Sequence, residues 1–140
     1  MREILFRGQT RRFGEKVGMD GEPVKSNWVY GGVFQGPNKS VIYSCDLGEK
    51  HVVYSDTVGQ YTGLTDKNGK KIFEGDEVQA FLPAAVAQRE YAWPVMQVVF
   101  ICGAFGLSDG RREVIPLRSF SPCVEFEVVG NAFDGVEGER

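Results

Sequence analysis

Apolar and polar positions alternate along this chain in short runs broken by Gly, Asn, Asp and Pro, which is the period of β structure rather than of helices. The pattern predicts strands at 4–7, 28–34, 40–45 and 51–54, the last three forming a meander. Further strands follow at 72–73, 77–81, within 93–102, and at 104–107, 111–115 and 124–129. In the last of these, Glu125 and Glu127 alternate with apolar residues, the mark of a strand with one wet face. Residues 8–27 read as a long loop or ragged hairpin, and 134–140 as a polar, frayed tail. Only Pro83–Ala92 has helix-friendly composition, with Pro83 acceptable in a first turn. No fixed-period repeat occurs.

Two turn signals stand out. Asn68-Gly69 favours a tight turn with positive φ and predicts a hairpin at 66–71. In Glu74-Gly75-Asp76, glycine permits a sharp reversal and the aspartate is expected to bond to the backbone of the strand that follows. Turns are also expected at 36–39, 46–49 and 108–110.

Composition narrows the class. The chain has 140 residues, 42% hydrophobic and 25% charged, enough for one globular domain to bury roughly two-thirds of its unfolded surface. Its 18 glycines and 6 prolines punctuate the runs too often for long helices. No apolar run approaches the ~20 residues of a membrane span, and Met1–Arg7 lacks the apolar middle of a secretory signal. A cytoplasmic protein that does not engage membranes is expected. Three cysteines, Cys45, Cys102 and Cys123, without close spacing, argue against a disulfide framework or zinc ribbon.

The net charge is −3, unlike a basic nucleic-acid protein. Its distribution is uneven: residues 1–16 carry Arg2, Arg7, Arg11, Arg12 and Lys16 against Glu3 and Glu15, while residues 125–140 are strongly acidic. Such unlike ends can pair within one copy or between copies.

Several stretches, in order, resemble the YopX-like family of phage and prophage proteins. They are Met1–Gly8, Trp28–Gly31, the block Thr57–Leu64 with Asp66–Val78, then Gly103–Phe105 and Glu127–Asn131. The resemblance implies an all-β fold containing a small, strongly curved barrel of the Src-homology-3 type with additional strands and long loops and at most one short helix. It also implies a phage or its bacterial host as source, and it carries no reaction with it. Residues 1–133 are then expected as a single domain and 134–140 as its tail. The stretch 9–27 and the alanine-rich insert after Leu82 are longer than the family pattern.

No catalytic constellation is convincing. Glu74 and Asp76 sit in a turn that normally solvates both, whereas paired-carboxylate catalysis needs a partly buried pocket. A calcium loop with Gly69 sixth would place Leu64 first and Gly75 twelfth, where carboxylates are required. Cys45 or Ser44 with His51 and Asp46 or Asp56 makes a formal nucleophile set, but a cysteine at a strand end is usually a small buried hydrophobe. There is no Gly-Lys-Ser or Gly-Lys-Thr phosphate loop, and Gly103–Gly106 fits no dinucleotide fingerprint. The chain is therefore expected not to be an enzyme and to need no cofactor or metal.

Two binding readings remain. The preferred one is a non-catalytic accessory protein that forms homo-oligomers and binds a phage or host protein. Its contact surfaces would be residues 9–27 and 83–92, with Tyr91 and Trp93 as aromatic anchors and Arg7, Arg11 and Arg12 as charged contacts. The alternative is a nucleic-acid-binding small barrel, not favoured by the net charge. In it, Arg2, Arg7, Arg11 and Arg12 would contact phosphates and Phe6, Phe13, Trp28 and Tyr30 would stack on bases. Asn68, Gly69, Gly75 and Asp76 are expected to act structurally, as turn residues.

Overall fold

A computed structural model describes residues 3–10, 28–37, 39–44, 49–84, 89–111 and 113–133. The fold is all-β, and the chain divides into two compact units, residues 1–61 with 133–140, and residues 62–132. No helix among the described residues is long and apolar enough to cross a membrane.

In the first unit, β1 (Phe6–Gln9), β2 (Trp28–Gln35), β3 (Ser40–Ser44) and β4 (Lys50–Val53) precede a single 3-10 turn, Ser55–Thr57, and β5 (Gly59–Thr65). The order is β4-β3-β2-β1-β5, so the expected meander is present. The sheet curls strongly into a half-barrel: Thr10, just past β1, bridges to Val53 on β4, and Tyr54 N–H donates to the Gln9 carbonyl at 2.9 Å. Ile42 and Val53 fill the interior of this curl with no exposed surface. Gly8 permits the closure, since a Cβ there would stand 2.8 Å from Val53 Cγ2. Gly31 is equally constrained, because a Cβ on it would run into the Tyr43 carbonyl oxygen.

The first strand lies two residues later than the pattern suggested. Ile4 is solvent-exposed and the ladder to β2 begins at Phe6↔Gly31. Gln9 is buried in the strand because its N–H finds a side-chain acceptor, Thr57 Oγ1, at 2.9 Å. Thr57 Oγ1 in turn donates to the Tyr54 carbonyl at 2.6 Å, so the buried hydroxyl is satisfied on both sides. Residues 11–27, 45–48 and 134–140, where a long loop, a turn and a tail were expected, lie outside the described residues.

The second unit contains the end of β5, paired with β6 (Lys71–Phe73), then β7 (Asp76–Leu82), β8 (Tyr91–Ala92) and β9 (Met96–Ile101). β10 (Ala104–Ser108), β11 (Val114–Pro116), a 3-10 turn at Leu117–Ser119 and β12 (Glu125–Asn131) complete it. The sheet order is β11-β10-β9-β7-β12, with β8 pairing β7 off the main path. Ile72, Val78, Met96, Val98 and Leu107 form its core, with Trp93, Phe105, Phe120 and Phe126 packed against them. Of the expected helix at 83–92, residues 85–88 lie outside the described residues. Tyr91-Ala92 corrects that expectation: both are strand, paired with Leu82 and Phe81. Here, cross-strand pairing outweighs local alanine propensity.

Candidate interaction surface

The turn residues singled out in the sequence are built as turns. Asp66 and the Asn68-Gly69 pair join β5 to β6, with Gly69 at φ 84° and Asp66 N–H bonded to the Lys70 carbonyl at 2.7 Å. The Asp66 carboxylate accepts N–H bonds from Asn68 (2.9 Å), Lys70 (2.9 Å) and Val128 (3.0 Å). Burial alone would raise its pKa. The three backbone N–H bonds and the Lys70 charge outweigh that and hold the carboxyl below its ordinary value.

Gly75, at φ 95°, turns β6 into β7. Its N–H donates to the Val98 carbonyl and its carbonyl accepts from Ala132 N–H, both at 2.9 Å, so the turn is stitched to its neighbours on both sides. The buried Asp76 side chain bonds to the preceding strand, where Oδ2 accepts the Phe73 N–H at 2.8 Å. These four positions serve the framework.

The charged and aromatic candidates separate. Arg7 is 5% exposed and its guanidinium lies 4.4 Å from the centroid of the Trp28 ring. This corrects two expectations at once, since neither the Arg7 charge nor the ring face that it covers is presented to a ligand. Arg11 and Arg12 lie outside the described residues, as does Cys45 of the nucleophile set. His51 Nε2 is 3.7 Å from Glu49 Oε2.

Tyr91 and Trp93 are brought together, with unequal roles. Their rings meet edge-on, 4.8 Å between centroids. Trp93 meets Phe120 at 5.5 Å and Phe120 meets Phe126 at 5.4 Å, each again edge to face. This row runs from the apolar interior of the second unit to its surface. Trp93 is half-buried and supports; Tyr91 is 56% exposed and presents its ring to solvent. Strand β8 fixes Tyr91 through its pairing with Leu82, and Trp93 N–H donates to the Ala80 carbonyl at 3.0 Å. Nearby, Lys67 Nζ sits 4.9 Å from the Phe81 ring centroid and 3.9 Å from Glu127 Oε1.

The sequence signal for this row was the spacing Tyr91-x-Trp93 after an alanine-rich stretch. Phe120 and Phe126 were not legible as its supports, because they come from a loop and a strand distant in sequence.

A curled half-barrel sheet and a second β unit carrying a supported surface aromatic define an all-β protein built from turns and ladders. A family model described as YopX protein matches residues 19–137, and the chain belongs to the YopX family. The match takes in the Thr57–Val78 block; the opening segment Met1–Gly8 lies before it. No curated protein matches the chain.

Proposed function

We propose that the chain is a non-catalytic interaction module of a phage or prophage, acting in the bacterial cytoplasm, whose second unit docks a protein through the Tyr91 surface. The observation that carries this reading is the exposed Tyr91 ring held on Trp93 and, through it, on Phe120 and Phe126. Interface energy concentrates in tyrosine, tryptophan and arginine side chains that are rigid before binding. A ring already fixed by its neighbours loses little rotamer freedom on docking. The non-catalytic part rests on the sequence, which has a single histidine and no phosphate loop.

The first partner to test is a second copy of the chain. Light scattering across a wide concentration range is expected to show assembly that Tyr91→Ala abolishes while its melting temperature stays that of the wild type. A protein that remains monomeric throughout, or an assembly indifferent to Tyr91→Ala, would refute self-docking through this surface.

A further inference from the structure

The outer face of β2–β4 in the first unit groups three exposed aromatic rings, Tyr30, Phe34 and Tyr43, around Gly32, with buried Val41 opposite Phe34 on the same face. Tyr30, Gly32 and Phe34 alternate onto one face of β2, and Tyr43 on β3 stands directly opposite Gly32. Tyr43 is thus the diagonal neighbour of both Tyr30 and Phe34, a separation of about 7–8 Å on a sheet. Phe34 is 60% exposed and Tyr43 48%. A Cβ on Gly32 would meet nothing within 4 Å, so the space above it is open.

Charge selects the occupant. From residue 28 to residue 44 the single charged side chain is Lys39, which is exposed in the β2–β3 turn. Lys50 is exposed and stands opposite Tyr43 in register, on the same face. Glu49, just before β4, lies against His51, 3.7 Å between Oε2 and Nε2, and His51 stands opposite Ile42, on the other face from Lys50. A face with exposed rings, two lysines at its border and no carboxylate on β2 or β3 suits a ligand that alternates flat π surfaces with anionic groups.

The geometry points to single-stranded nucleic acid as the ligand of this face, with bases stacked on Tyr30, Phe34 and Tyr43 and phosphates beside Lys39 and Lys50. Aromatic side chains that receive successive unstacked bases, with cations following the backbone, are the means by which small β domains hold single strands. A duplex hides its base faces and is not accommodated. Arg7 stands opposite Tyr30 in register but is buried against Trp28, so the phosphate contacts of the site are assigned to Lys39 and Lys50.

The test is fluorescence anisotropy of labelled oligo(dT) and oligo(rU), each about 12 nucleotides, within the span of a small β domain, titrated with the full chain at low and rising salt. Binding of one or both oligonucleotides is expected, the ratio of the two telling DNA from RNA. The slope of log K against log salt should be about −1.4, for two phosphate contacts on a single strand. Phe34→Ala and Tyr43→Ala should each weaken binding roughly 5- to 100-fold.

Gly32 separates loss of a site from loss of the fold, because the space above it is open. Gly32→Lys should tighten binding and Gly32→Glu should weaken it, with both variants melting like the wild type. Absence of binding to both oligonucleotides at low salt overturns the proposal. So does binding that Phe34→Ala and Tyr43→Ala leave unchanged, or a response to Gly32→Lys and Gly32→Glu of the same sign. Tyr91→Ala should leave nucleic-acid binding intact, so failure here and failure of the protein-docking reading are distinguishable.

Discussion

The Asp66 carboxylate accepts the backbone N–H of Val128 at 3.0 Å across 62 residues of sequence. In the same place, Lys67 N–H donates to the Phe126 carbonyl at 2.8 Å. The hairpin tip thereby caps the outer edge of β12 as a paired strand would, one carboxylate oxygen standing in for a backbone carbonyl. An edge strand otherwise presents such groups to any passing chain.

Removing that carboxylate should therefore cost more than an ordinary surface substitution. Asp66→Ala leaves three backbone N–H groups without their acceptor, and we expect a loss of about 2–4 kcal/mol at neutral pH, read from denaturant melts. Asp66→Asn, which keeps one acceptor oxygen, should lose about half as much. A loss under ~0.5 kcal/mol for Asp66→Ala, the range of neutral surface changes, would show that the cap contributes nothing.

The same group sets a pH dependence with a definite sign. Its folded pKa lies below its unfolded one, so the unfolded chain takes up the proton first as pH falls. The contribution is fully present above the ordinary aspartate value of about 3.9 and is lost as pH drops through the lower, folded value. The stability gap between wild type and Asp66→Asn should accordingly be constant from neutral pH to about pH 5 and narrow below pH 4. A gap that narrows on raising the pH instead would contradict the bonding pattern at this carboxylate.

Glycines in turns separate backbone strain from crowding. Gly69 at φ 84° has open space around its Cβ position, so Gly69→Ala should cost only the ~1 kcal/mol of a left-handed conformation. Gly75 at φ 95° is buried, with both backbone groups bonded to neighbouring strands. It cannot relax its conformation without breaking those bonds, and Gly75→Ala should cost ~2 kcal/mol or more by thermal and denaturant melts. Equal losses at the two sites would mean that the bonds of Gly75 do not constrain it.

Much of this framework was legible because local chemistry and tertiary demand agree in it. Asn68-Gly69 and Gly75 are turns by their own preferences, and the runs at 28–34, 40–45 and 51–54 carry enough β-branched and aromatic residues to declare themselves. β5 did not, because glycines at 59 and 63 and polar Gln60 and Thr62 dilute its pattern; it is held by Tyr61 N–H bonding the Leu5 carbonyl and Thr62 Oγ1 bonding the Ile72 carbonyl. Arg7 misled for a physical reason. An arginine near a chain end is normally solvated, and nothing local reveals that Trp28 will cover it. The Tyr30–Phe34–Tyr43 grouping was hidden differently, since only the β2–β3 register places Tyr43 opposite Gly32.

Trp93 and Tyr91 should respond oppositely to truncation despite their contact. Trp93 packs against the core of the second unit and meets two rings, so Trp93→Ala should destabilise by about 2–4 kcal/mol, near the lower part of the range for large aromatic deletions. Tyr91→Ala removes a ring that is mostly in solvent and should change stability by less than ~1 kcal/mol. Urea melts of the two variants check this. A Tyr91→Ala loss as large as that of Trp93→Ala would make the ring a structural element and remove the argument for it as a docking anchor.

Cys102 offers the opposite kind of change, a stabilising one. It occupies the first of two loop positions between Ile101 and Ala104, which pair in register, and it is the one non-glycine among the described residues with positive φ, at 53°, followed by Gly103 at 79°. Two successive positive φ values define the tight hairpin turn in which Asn-Gly is favoured. A cysteine there bears the left-handed penalty, whereas asparagine tolerates that conformation better through its short polar side chain. The thiol is exposed, so its replacement removes no core packing. Cys102→Asn should raise stability by roughly 0.5–1 kcal/mol, a shift of a few degrees in melting temperature for a domain of this size. A Cys102→Asn variant that melts below the wild type would show that the thiol is held by contacts worth more than the strain of its backbone.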